Sequence, residues 1–193
     1  MRSPLATFVM LTTLQAFAAS LRAQVGLASA AQSVQLIASK RASVGVALPG
    51  GSAASLPGSL SEGPNDFAPL PVVTTWNVDP ARTGAVRLAA FFDTPDRALA
   101  GSDGAIPASR VFGRVPTGGP KTFAPFTGPA VASASGMVGV AGGTLVLFTQ
   151  PISGANAVSS RRDELQVRID LSDMADLPPG SYSGTLNLVA TTQ

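Results

Sequence analysis

The chain has 193 residues, 13 basic and 11 acidic, with no cysteine and no histidine. The missing residue types rule out disulfides, thiol nucleophiles, the usual serine triad and histidine zinc sites. Charged residues make up only 12% of a chain carrying 20 glycines and 16 prolines, a mixture that suits short strands and many turns better than long helices.

Met1-Arg2 precedes an apolar stretch from Leu5 to Phe17 and then small, Ala-rich sequence, the three-part pattern of a secretory leader. Thr7, Thr12, Thr13 and Gln15 interrupt the stretch, which is shorter than the roughly 20 residues of a spanning helix, so residues 1–23 read as a cleaved signal peptide. Cleavage after Ala18 or Ala30 also fits the small-x-small rule. Removing Arg2 and Arg22 leaves 11 basic residues against the 11 acidic ones. A neutral mature chain whose only basic pairs are Lys40-Arg41 and Arg161-Arg162 lacks the footprint for nucleic acid. The expectation is an exported protein, periplasmic, at the cell surface or extracellular, with no membrane span once the signal is gone.

Eight runs rich in Val, Leu, Ile, Phe and Thr carry the strand signal: Ser33–Ala38, Ser43–Leu48, Leu70–Val78, Ala85–Phe92, Arg110–Val115, Thr144–Gln150, Glu164–Leu171 and Tyr182–Ala190. In the clearest, Leu165, Val167, Ile169 and Leu171 alternate with Gln166, Arg168 and Asp170, giving one dry and one wet face. These runs predict an all-β antiparallel sandwich of about seven to nine strands. Pro49 to Pro69 is Gly/Ser/Pro-rich and without periodicity. The chain therefore divides into an N-terminal β-arm or first hairpin at 24–48, a linker or loop at 49–69, and a sandwich body at 70–193. Only Thr94–Ala100, with its first-turn Pro95, offers a helix, of one or two turns.

Trp76 lies in an apolar strand, so it is expected in the core; exposed, it would stack on a sugar. No charge occurs between Lys121 and Arg161, and Val131–Phe148 is apolar with Gly139 and Gly143 at a membrane-helix spacing. Ser133, Ser135, Gly136, Gly142 and Thr144 dilute it, and Gly142-Gly143 favours a buried hairpin of Met137–Val140 with Thr144–Phe148. Asp93, Asp96 and Asp103 share a loop region, but their spacing matches no calcium loop. The acidic residues all fall at turn-like or outward alternating positions, and none pairs off as a glycosidase acid and base. No enzyme, cofactor or metal is expected.

Leu177-Pro178-Pro179-Gly180-Ser181-Tyr182-Ser183-Gly184-Thr185-Leu186 turns the chain and then starts a strand at an aromatic. It resembles the "Leu-Pro-x-Gly-x-Tyr-x-Gly-x-Leu" segment of bacterial immunoglobulin-like surface modules, in which the Tyr anchors the corner by a backbone hydrogen bond. The resemblance implies an immunoglobulin-like fold and is silent on function; the role expected of an exported, non-catalytic sandwich is binding or structural association with a protein or glycan partner. The tail more loosely resembles chaperone-assembled pilin subunits, whose sandwich borrows a strand from a neighbour. That likeness implies self-association, with Val34, Leu36, Ala38, Val44, Val46 and Leu48 as a donor arm; the alternative is that residues 33–48 pair within their own domain.

Overall fold

The computed structural model describes residues 43–56, 59–79, 81 and 84–193. The expected signal peptide, the run Ser33–Ala38 and with it Val34 and Leu36 lie outside the described residues. Thirteen strands follow in chain order: β1 (Ser43–Ala47), β2 (Pro64–Asp66), β3 (Leu70–Asn77), β4 (Gly84–Phe91), β5 (Leu99–Ala100), β6 (Ala105–Ile106), β7 (Val111–Arg114), β8 (Ala124–Pro125), β9 (Val131–Ser133), β10 (Gly136–Val138), β11 (Thr144–Ile152), β12 (Val158–Asp170) and β13 (Asn187–Thr192).

The protein is an all-β sandwich of antiparallel strands. Its spine is β12, whose alternation extends further than the sequence suggested. Asp163, Leu165, Val167 and Ile169 are buried on one face, while Arg162 and Glu164 are exposed on the other. Val158–Leu165 pairs with β3, and Arg168–Asp170 pairs with β2. On the opposite edge Gln166–Ile169 pairs with β7, which carries β8 outside it. Beyond β3 lies β1, giving the order β1-β3-β12-β7-β8. The second sheet is β11-β4-β13.

Between the sheets, Val72, Trp76, Val111, Leu165 and Ile169 meet Val86, Leu88, Ala90, Leu147 and Phe148. Burying a side chain of this size contributes about 1.5–3 kcal/mol, so the core alone accounts for a fold without disulfides. A bulge in β11 between Val146 and Phe148 turns both Leu147 and Phe148 inward. Phe126 is fully buried and meets Phe92 edge to face at 5.3 Å.

Several expectations need correction. The stretch 49–69 is not a free linker, and the sandwich does not begin at Leu70, because β1 and β2 are strands of the larger sheet. Order there comes from a polar hub: the buried Asn65 side chain accepts from Ser61 N–H at 2.9 Å and donates to Ser61 and Gly63 carbonyls at 2.8 Å. A hub of this kind leaves no apolar period to read.

The expected hairpin around Gly142-Gly143 does not form either. β10 pairs with β9 and β11 pairs with β4. Ser133 Oγ donates to the Gly136 carbonyl at 2.8 Å and accepts from Ser135 N–H, closing the turn one strand earlier, while Thr144 Oγ1 folds back onto Val140. Met137 is consequently 67% exposed rather than buried. The expected helix is a single 3-10 turn at Pro95–Arg97. The last strand starts at Asn187, not Tyr182, and runs to Thr192. No helix among the described residues is long and apolar enough to cross a membrane.

Candidate functional site

A sandwich has two open sides, and here they differ. On the side of β8 and β11 the layers are stitched by backbone: Gly128, just past β8, donates its N–H to the Thr144 carbonyl of β11 at 2.8 Å. On the other side β1 ends the larger sheet and β13 ends the smaller one. These two strands approach each other across the layers, yet no backbone hydrogen bond joins them among the described residues.

The inward side chains record that difference. Val44 and Val46 of β1, with Leu48 just beyond it, pack against the core but stay half-buried. Leu186, Leu188 and Ala190, at the opposite wall, do the same. A groove of about 280 Å³ opens here, with Leu48 and Leu70 on one flank, Leu186 and Leu188 on the other, and the buried Phe92, Val111 and Val167 beneath. Apolar surface beside an unpaired edge is the arrangement that accepts an extended strand: main-chain bonds supply affinity and alternate side chains fill the groove.

The corner leading into β13 is rigid. Tyr182 Oη donates to the Pro178 carbonyl at 2.5 Å, a backbone bond of the kind expected of this tyrosine. Ser183 and Ala100 exchange backbone bonds of 3.1 and 2.8 Å. Gly184 has to be glycine, since a Cβ there would collide with the Ala98 carbonyl oxygen. The groove's upper wall is therefore fixed before β13 begins.

Of the donor-arm residues, Val44, Val46 and Leu48 are placed within their own domain. β1 pairs along its whole length with β3, Val44 opposite Trp76 and Val46 opposite Thr74, because their alternation matches the inward face of that sheet. Val34 and Leu36, the other donor-arm residues, lie outside the described residues. Trp76 is 5% exposed and its indole N–H donates to the Asn156 carbonyl at 2.8 Å, so it offers no face to a sugar. Asp93 accepts from Asn187 Nδ2 at 3.0 Å and Asp103 from Ser102 Oγ at 2.6 Å. Among the described residues no three acidic side chains converge as a metal site would require.

Two charged clusters escaped the sequence reading. Asp163 is not at an outward position: its side chain is 1% exposed and is held by Arg161, Nε at 2.7 Å and Nη2 at 2.8 Å. Arg161 also stacks over Phe148, 4.2 Å from its ring centre. The pair ties β12 to β11 at one end of the core. Two residues apart on a strand means one shared face, which is the signal that locates Asp163 on the same face as Leu165.

On the outer face, Arg114 and Arg168 both stack on Phe123, at 4.5 and 4.1 Å. Arg168 also grips Asp66 with two bonds of 2.7 and 2.9 Å. That guanidinium holds the Asp66 carboxyl below its usual range, against a smaller opposing effect of desolvation, and its own pKa rises in return. Asp170 is likewise lowered, by bonds from the Ser172 hydroxyl and amide. Every partner in this cluster is a surface group of ordinary strength.

Comparison with protein-family models, with curated proteins and with solved structures finds no match for this chain.

Proposed function

We propose that the chain is an exported, non-catalytic sandwich of immunoglobulin-like type that works by structural association: the edge of β13 accepts an extended strand from a second copy, supplied by residues 33–38. The observation that carries this reading is the β13 edge, unpaired among the described residues, whose Leu188 borders a groove into the core. Unpaired edges invite pairing and are usually blunted by charge, proline or a covering loop. Asn187–Thr192 holds neither a charge nor a proline. Residues 33–38 bring Val34, Leu36 and Ala38 at alternate positions, the spacing at which side chains fall on one face of a strand.

Light scattering on the full chain across concentration, beside a Val34→Asp/Leu36→Asp variant, tests it. The expected result is concentration-dependent assembly in the parent and a folded monomer in the variant, with matching far-ultraviolet dichroism. A parent that stays monomeric at all concentrations, merely destabilised by the two substitutions, places the arm in its own chain and overturns the proposal.

A further inference from the structure

An alternating strand fixes its own register only modulo two. A slip of one residue turns Val34 and Leu36 to solvent, whereas a slip of two keeps every apolar side chain on the groove face. Something other than the pattern has to choose among the even registers. The free edge of β13 contains a candidate.

Gln193 and Ala85 exchange both backbone bonds, at 3.0 and 3.4 Å. By the alternation of an antiparallel ladder, Thr191, Val189 and Asn187 then turn their backbone groups toward β4, while Leu188, Ala190 and Thr192 turn theirs outward. Leu188 and Ala190 have no backbone partner on that side among the described residues. Thr192 does: its carbonyl accepts from Ala134 N–H at 3.1 Å. Gln193 adds a second tie, its Nε2 donating to the Ala132 carbonyl at 3.1 Å while Arg87 Nη2 holds its Oε1 at 2.7 Å. Both contacts come from the turn and first strand of the β9–β10 hairpin. The Ser133 bonds to Gly136 and Ser135 keep that turn tight.

We propose that the β9–β10 hairpin is a register stop: by occupying Thr192 it limits an added strand to the outward groups of Leu188 and Ala190 and so selects one even register. Ala134 is a positioning residue in this role. The inference rests on the strand-addition reading and adds to it the partner's length and placement. Thr185 to Ala190 spans six residues, as does Ser33 to Ala38. A donor of that length spans from the Tyr182 end of the groove, which is lined as far as Leu188, along the edge to Ala190, just short of the stop.

The chain has no cysteine of its own, so single introduced cysteines report pairing cleanly. Full chains carrying Gln35→Cys are mixed and oxidised with chains carrying either Asn187→Cys or Val189→Cys, and the yield of each mixed disulfide dimer is measured by mass. Positions 187 and 189 lie about 7 Å apart along the strand. A disulfide spans only about 4 Å between Cβ atoms. One register therefore links the thiol introduced at position 35 to one of them and not the other. The experiment is repeated with Ala134→Pro, which removes the N–H that bonds Thr192.

The expected result is one dominant dimer with the parent hairpin and comparable yields of both with Ala134→Pro. A single dominant dimer that persists in Ala134→Pro chains, shown folded by their melting temperature, overturns the stop while leaving strand addition standing. Absence of both mixed dimers in the parent overturns the stop and strand addition together.

Discussion

Arg161→Met tests the energetic reading of the interior most severely. The substitution keeps an unbranched apolar side chain against Phe148 but removes the charge that balances Asp163, which is 1% exposed. Leaving a buried carboxylate without its partner costs about 3–5 kcal/mol. The lost stacking of the guanidinium on Phe148 adds about 1 kcal/mol. Domains of this size lose about 2–4 °C of melting temperature per kcal/mol. The expected drop is thus roughly 10 °C or more. Thermal unfolding followed by the Trp76 fluorescence measures it, with Arg161→Met/Asp163→Asn as the partner variant. Because that pair no longer buries an unpaired charge, it should recover a large part of the loss. A single substitution costing below about 1 kcal/mol would be the behaviour of an exposed ion pair. That result would refute the claim that Asp163 is sealed from water.

Three further outcomes follow from geometry already described. Tyr182→Phe removes the bond to the Pro178 carbonyl and should cost about 1 kcal/mol in urea melts, with the slope of the transition unchanged. Gly184→Ala should be far more damaging than a surface Gly→Ala change such as Gly180→Ala, where a Cβ meets nothing within 4 Å; thermal melts of the two variants compare them directly. Asp66 is lowered by Arg168, so its contribution is present above the unfolded carboxylate pKa and is lost as pH falls through the lower folded value. Asp66→Asn should therefore reduce stability by well under 1 kcal/mol at pH 7, the pair being over half exposed on the Asp66 side, and by nothing measurable near pH 2; urea midpoints at the two pH values decide it.

How far the sequence foretold this molecule depends on what held each segment. Leu70–Asn77, Thr144–Ile152 and the Leu165–Asp170 part of β12 were readable because burial of an alternating face is what forms them. Asn65 illustrates the opposite case: its segment is ordered by side-chain bonds to its own neighbours, and nothing in a run of Ser, Gly and Pro announces that Asn65 will be buried. Likewise Val131–Val138 has hairpin composition, but the turn that Ser133 closes competes with the Gly142-Gly143 turn, and local sequence does not rank them. Trp76 was correctly expected inside; its Asn156 partner, on a 3-10 turn at the start of β12, was not legible.

The seam belongs to a further category, since it consists of bonds that are not made. Strand patterns state which residues face inward, and Val44, Val46, Leu188 and Ala190 all obey theirs. What they do not state is whether two inward-facing edges meet. Here Gly128 and Thr144 join the layers on one side, whereas among the described residues no backbone bond joins β1 to β13 on the other. Six apolar side chains are consequently left half-wet. Sealing them offers a gain of the order of 25 cal/mol for each square ångström covered, available only to a strand that also satisfies Leu188 and Ala190. On the strand-addition reading proposed above, the same unmade bonds set the side-chain spacing required of a strand that would complete the sandwich.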